Sequence, residues 1–125
     1  MIKITNKDYQ YFVKRCKHWI DKLHGNHLEW YFERGKEESD CLARYTYSPD
    51  GAVVSIIWTT DEMKLFDNET VRSNIEAVAF HEVAEILIFG KLRGLITKQR
   101  YNSDELNEIT HEGIHRIATL LGVKK

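Results

Sequence analysis

Apolar residues recur at helical spacing early in the chain: Tyr9, Phe12, Val13, Cys16, Trp19, Ile20 and Leu23 form one stripe. That period predicts an amphipathic helix over about residues 6–23. Asn6 is its expected N-cap, and Gly25 suits a left-handed C-cap. The period then shortens to two. Leu28, Trp30 and Phe32 alternate with His27, Glu29, Tyr31 and Glu33, so residues 27–34 read as a strand. Residues 41–47 and 52–59 read as two more. Between them lies Ser48-Pro49-Asp50-Gly51, a hairpin turn in which proline presets one dihedral and glycine tolerates positive φ. The polar, charged residues 35–40 are expected to form the other hairpin loop.

Helical spacing returns with Val71, Ile75, Val78, Ala79, Val83, Ile86 and Leu87, predicting a helix over about 68–89 with Asn68 as its cap. Residues 90–101, bent by Gly90 and Gly94, read as a connection. A last helix is expected to start after Asn102 or Ser103, with Asp104 and Glu105 at its positive end, and to stop at Gly122. The order is helix, three-stranded antiparallel meander, helix, helix. It predicts one α+β domain over residues 1–125, in which the first and second helices cover one face of a small, mainly antiparallel sheet. A chain of 125 residues is long enough for one real core.

A formal net charge of −1 gives no electrostatic reason to expect nucleic-acid or membrane partners. No apolar run approaches the ~18 residues of a membrane span, and Lys7, Asp8 and Gln10 leave no room for a signal peptide. A cytoplasmic protein is expected, with Cys16 and Cys41 as reduced thiols.

Two short patterns carry candidate chemistry: His81-Glu82-Val83-Ala84-Glu85 and His111-Glu112-Gly113-Ile114-His115. The second has the letters H-E-x-x-H; the first has Glu in place of the second His. Residues four apart lie one turn apart on the same helix face, so both side chains can reach one ion. The glutamate after the first histidine can hold a water at the ion and accept its proton. Carboxylate oxygen is an accepted zinc ligand, so Glu85 is chemically allowed, although it lowers the net positive charge of the site.

Context favours the first pattern. After Glu76, the charged residues on its otherwise apolar helix are Glu82 and Glu85, and charges there are costly unless paired or metal-bound. Pairing of Glu85 with Lys91 or Arg93 is the alternative. The second pattern sits among Glu105, Asn107, Glu108 and Arg116, as a solvated face would, and Gly113 weakens its helix. A catalytic zinc needs three protein ligands. His81 and Glu85 supply two, and the last helix can supply the third. With Ile109, Gly113, Ile117 and Leu120 at the middle of the buried arc, His111 falls at its border and is the expected ligand. His115, one step towards solvent, is the second choice, and Glu108 and Glu112 lie among charged residues. Zinc is the expected ion, with manganese or nickel as alternative occupants.

Other residues are weaker candidates. His24 and His27 suit a solvated turn better than a surface metal site, Tyr101 suits core cover better than carbonyl polarisation, and Trp30 and Trp58 suit the core.

The stretches 77–87 and 108–117, with the helix–strands–helix order around them, resemble the minimal zincin domain of small zinc metallopeptidases encoded by phages and prophages. More distantly they resemble SprT-like metallopeptidases. The resemblance covers about 25 residues as sequence and nearly the whole chain as an order of elements. It implies a zincin-like fold, zinc held by His81, Glu85 and a ligand on the last helix, Glu82 as general base, a protein or peptide substrate, and a host-cell cytoplasmic setting if the chain is phage-encoded. Many zincins have His at the place of Glu85. A catalytically inactive zincin-like domain that binds a partner protein is the alternative. An edge strand could align an extended peptide beside the metal, but the sequence does not say which strand is the edge.

Overall fold

The computed structural model describes residues 2–35, 42–48, 52–66, 68–90 and 103–123. The expected turn at Pro49-Asp50-Gly51, residues 36–40 of the expected hairpin loop, Cys41 at the start of the expected second strand, and the connection with Lys91, Arg93 and Tyr101 lie outside the described residues. In chain order the elements are β1 (Ile2–Lys3), α1 (Asn6–Lys22), β2 (Glu29–Arg34), β3 (Ala43–Ser48), β4 (Val53–Trp58), β5 (Glu62–Met63), α2 (Val71–Ala84), a π-helical turn (Glu85–Phe89) and α3 (Ser103–Leu120). The class is α+β. Among the described residues no helix is long and apolar enough to cross a membrane.

The helices start one or two residues away from the expected caps. Thr5, not Asn6, caps α1: its side chain accepts from the Asp8 N–H while Asp8 accepts from the Thr5 N–H. Thr70 caps α2 in the same reciprocal way with Ser73. Asn68, the expected cap, instead takes a left-handed turn conformation at φ 68°. At the end of α1 the left-handed residue is His24 (φ 59°), not Gly25. The Gly25 N–H reaches back to the Ile20 carbonyl at 2.7 Å and the His24 N–H to that of Asp21 at 3.2 Å, which closes the helix. Gly25 is also a point of close approach: a Cβ there would stand 2.7 Å from a methyl of Leu87.

The sheet departs from a meander. Its strand order is β2-β4-β3, with β3 antiparallel to β4 and β2 parallel to it. The pairing runs from Glu29↔Val53 to Arg34↔Trp58 on one side of β4, and from Ala43↔Trp58 to Ser48↔Val53 on the other. The sheet is therefore mixed rather than mainly antiparallel. The reason lies in β4, Val-Val-Ser-Ile-Ile-Trp, the most apolar strand and the one best buried between two neighbours. The more polar β2 and β3 take the edges, where charged residues are tolerated. A two-stranded antiparallel pair, β1 with β5, was not legible in the pattern.

Val54, Ile56 and Trp58 point from β4 into the core, where they join Phe12, Cys16 and Ile20 of α1 and Ile75, Ala79, Phe80 and Val83 of α2. The Phe12 and Trp58 rings lie 4.9 Å apart, as do those of Trp19 and Phe80. Both helices thus cover one face of the sheet, as the stripes implied. Trp58 is fully buried, whereas Trp30 is only half-buried and donates its indole N–H to the Gly25 carbonyl at 2.9 Å.

The one-faced burial of β4 predicts a contrast between neighbours. Ile56→Ala should cost about 2–5 kcal/mol in urea unfolding, while Ile57→Ala, from the opposite and partly exposed face, should cost well under half as much. Equal losses would contradict this register.

Candidate metal centre

The site is built on the last turn of α2. His81 and Glu85 stand four residues apart, and the His81 Nε2 lies 3.1 Å from the Glu85 Oε2. The helix then widens into the π turn that begins at Glu85. Such turns insert one residue and rotate the helix beyond it, and they are frequent at functional sites. Here the rotation sends Phe89 towards α3. A Cβ on Gly113 would meet the tip of the Phe89 ring at 2.7 Å, so glycine lets the two elements come this close without moving that ring. Gly113, which weakens α3 as a helix, is what allows α3 to dock.

Docked this way, α3 brings His111 to the same point. Its Nε2 lies 3.8 Å from the Glu85 Oε2, and its ring centroid lies 5.0 Å from that of His81. One donor atom each from His81, Glu85 and His111 lie within 4.8 Å of one another. Four-coordinate zinc with bonds of ~2.0–2.1 Å spaces its donors by roughly 3.4 Å. The separations of 3.1 and 3.8 Å bracket that value. Two imidazoles and one carboxylate are also a normal donor set for catalytic zinc, so these residues fit the ion. Exposure rises from Glu85 (12%) through His81 (35%) to His111 (56%), which leaves the cluster open on one side.

That side is a groove of about 620 Å³. β3 contributes Ala43, Arg44 and Tyr45, α2 contributes Val78 and Glu82, and α3 contributes Asn107, besides the three donors. Glu82 lines it but is only 8% exposed. Burial pushes its carboxyl from the ordinary 4.5 up to about 7; His81 opposes the rise and Glu85 adds to it. On the other side of α2 sits Cys16, whose thiol is pushed up by burial first and then by Glu82 and Glu76, which makes it an inert core residue.

Tyr45 is the participant that sequence reasoning missed. Its hydroxyl donates to the Glu85 Oε1 at 3.2 Å and so orients the carboxylate, with Oε2 towards the two imidazoles. A tyrosine on an alternating strand 40 residues before its partner carries no local signal of this role. His115 does not join the cluster: it is exposed one turn further along α3, beside a second cavity. The arc used to choose between the two histidines was also misplaced. Ile109 and Leu120 are 65% and 85% exposed, and the buried face is centred on Thr110 and Ile114. His111 still borders that face. Glu112 pairs with Arg116 and Glu108 is exposed, away from the cluster. His24 and His27 are exposed, with the His27 ring against the His24 carbonyl, and they enter no three-donor group among the described residues.

No family model matches the chain, and no curated protein or solved structure is significantly similar to it.

The geometry ranks zinc affinities. His81→Ala, Glu85→Ala and His111→Ala should each lower affinity by orders of magnitude in a competition titration. Tyr45→Phe should lower it roughly 10- to 100-fold, as loss of an orienting partner does. His115→Ala should change it little, and a large loss there would reject the orientation of α3.

Glu82 adds a pH signature to metal-free protein. Its folded pKa lies above its unfolded one, so the folded state keeps a proton that the unfolded state has lost between pH 4.5 and about 7. Stability falls as pH rises through that window. In chelator, Glu82→Gln should match wild type below the window and exceed it above by about 3 kcal/mol. A pH-independent difference in urea unfolding would show that Glu82 is not desolvated.

Proposed function

We propose that this chain is a zinc-dependent metallopeptidase of zincin-like design, in which His81, Glu85 and His111 hold the ion and Glu82 is the general base. The observation that carries the reading is the convergence of three donors from two helices on one point, beside a groove that a buried glutamate also lines. The fit to small phage and prophage metallopeptidases, and more distantly to SprT-like ones, is part of the same proposal. So are a protein or peptide substrate and a cytoplasmic setting, in the host cell if the chain is phage-encoded.

Zinc, when bound, supplies Lewis acidity that brings a water's pKa down to about 7 and polarises a carbonyl. The protein's own groups do the rest. His81 and His111 would each offer an unprotonated Nε2 to the ion, so binding would displace any proton from the His81 Nε2 that now faces the Glu85 Oε2 at 3.1 Å. Tyr45 keeps the Glu85 Oε1 occupied and leaves Oε2 for the ion. Glu82 accepts a proton from water at a carboxylate oxygen and returns it to the leaving amine. β3, an edge of its sheet, forms the opposite wall of the groove, so a peptide lying in the groove passes between β3 and the cluster.

Glu85 favours a second reading. A carboxylate where zincins commonly carry imidazole reduces the net charge at the ion and its acidity. A domain that keeps the ion and binds a partner protein without cleaving it is the alternative.

Zinc analysis of protein purified without chelator, coupled to a peptide-library digest, separates these readings. Wild type should hold one zinc and cleave peptides. Glu82→Gln should keep the zinc and lose about 100-fold or more in rate, and His81→Ala should lose both. Zinc without hydrolysis in wild type supports the partner-binding domain, and equal cleavage by wild type and Glu82→Gln places any hydrolysis elsewhere.

A further inference from the structure

Two cavities flank the donor cluster, since His81 and His111 line both. A third, of about 460 Å³, lies apart from it and shares no residue with the groove. α1 supplies Arg15, His18 and Trp19 to its lining, the start of α2 supplies Arg72 and Glu76, and the turn that closes α3 supplies Leu121. Two contacts between α1 and α2 build its charged side. Glu76 accepts from Nε and Nη2 of Arg15, the latter at 2.8 Å. One turn earlier on each helix, the Arg72 guanidinium carbon lies 4.7 Å from the centroid of the Tyr11 ring. These contacts hold both guanidinium groups on one side of the cavity without using all their donors. Arg15 Nη1 and the Arg72 N–H groups donate to none of the described residues. Glu76 is the one acid in the lining among the described residues, so two arginines leave an excess positive charge. The rest of the wall is apolar and aromatic. Leu121 is half exposed, and Trp19 is buried with the His18 ring edge-on against it. Buried donors normally have partners. The Trp19 indole N–H is the one buried side-chain polar atom among the described residues that lacks one.

We propose that this third cavity binds an organic phosphate, with the phosphate oxygens on Arg15 and Arg72 and an apolar or aromatic body against Trp19 and Leu121. The inference is independent of the metal reading. Two guanidinium groups from different helices, with the His18 imidazole beside them, offer more N–H donors than the two oxygens of a carboxylate can take up. A phosphate monoester presents three terminal oxygens, and arginine matches their geometry. The excess positive charge also suits a dianion. The volume lies within the ~300–1,000 Å³ range of small-molecule sites. A bare inorganic ion would leave the Trp19 and Leu121 side unused, whereas an aryl or alkyl body would bury apolar surface there. Glu76 tunes the site in two opposed ways, because it fixes the Arg15 head and repels the incoming anion.

The probe is phenyl phosphate, titrated into the full chain at low ionic strength and followed by calorimetry and by NMR of amide and indole N–H groups. It should bind roughly 10-fold more tightly than inorganic phosphate, the worth of a partly buried ring, and more tightly than benzoate. In the unmodified protein it should shift the Trp19 indole N–H signal. Arg72→Gln changes an exposed side chain and should weaken binding roughly 10-fold or more, as loss of hydrogen bonds from a charged donor does. Glu76→Gln still accepts from Arg15 but no longer repels the anion, so it should tighten binding several-fold. His111→Ala, at the donor cluster, should leave the affinity unchanged. Equal affinity in wild type, Arg72→Gln and Glu76→Gln would overturn the site, as would no binding by the wild type. Loss of binding in His111→Ala, or signal shifts confined to residues around the donor cluster, would place the anion there and also overturn it. Tighter binding of benzoate than of phenyl phosphate would overturn the assignment to phosphate.

Discussion

The contact between Phe89 and Gly113 brings the last helix against the end of the second, and with it His111 to the site. α1 and α2 are locked together by a shared aromatic and aliphatic core, so the place of His81 and Glu85 is fixed by ordinary burial. α3 is different. Thr110 and Ile114 are its buried residues among those described, and most of its surface faces water. A helix so lightly buried needs a specific contact to define its register. The π turn provides it by rotating Phe89 out of the stripe that Ile86 continues, and Gly113 provides it by having no Cβ to hold the ring away. Shifted by one residue, α3 would carry His111 about 100° around its axis and out of reach of Glu85.

Dependence on one distant contact also separates the parts of the protein that were legible in its sequence from those that were not. Periodicity found the helices because α1 and α2 each bury one stripe, and residues four apart on α2 had to share a face. Strand order was not legible. Neighbouring strands usually pair in sequence, but the apolar character of β4 at both faces outweighs that tendency and draws it between β2 and β3. Glycines were misread for a related reason. Gly25 looked like a conformational device and Gly113 like a weakness, yet both are points of close approach, to Leu87 and to Phe89. Close approach is a property of two distant segments, and neither segment announces it alone. Tyr45 is the same case in polar form.

The electrostatics of the cluster depend on where α2 puts its carboxylates. Glu82 and Glu85 are both largely buried, and Glu85 adds to the rise that burial imposes on the Glu82 carboxyl. Hydrogen bonds relieve part of the cost of burial for Glu85, which has Tyr45 on one oxygen and an imidazole on the other. Glu82 has its carboxyl raised chiefly by burial, with Glu85 adding to the rise. A divalent cation between His81, Glu85 and His111 would reverse the balance, because it places positive charge where two negative groups now compete.

The same arrangement ties the cation to the architecture. Two of the three donors belong to the firmly packed α2 and one to the lightly packed α3. A ligand that binds only the assembled donor set stabilises whatever assembles it. Here that is chiefly the docking of α3, since α2 is already held by α1 and the sheet. The cleft on either side of the cluster depends on the same docking, because α3 supplies Asn107 to the groove and Ile114 and Ala118 to the second cavity. Both cavities and the three-donor cluster therefore depend on the same docking. The approach of Phe89 to Gly113 is one of the contacts that bring α3 close enough to contribute to both.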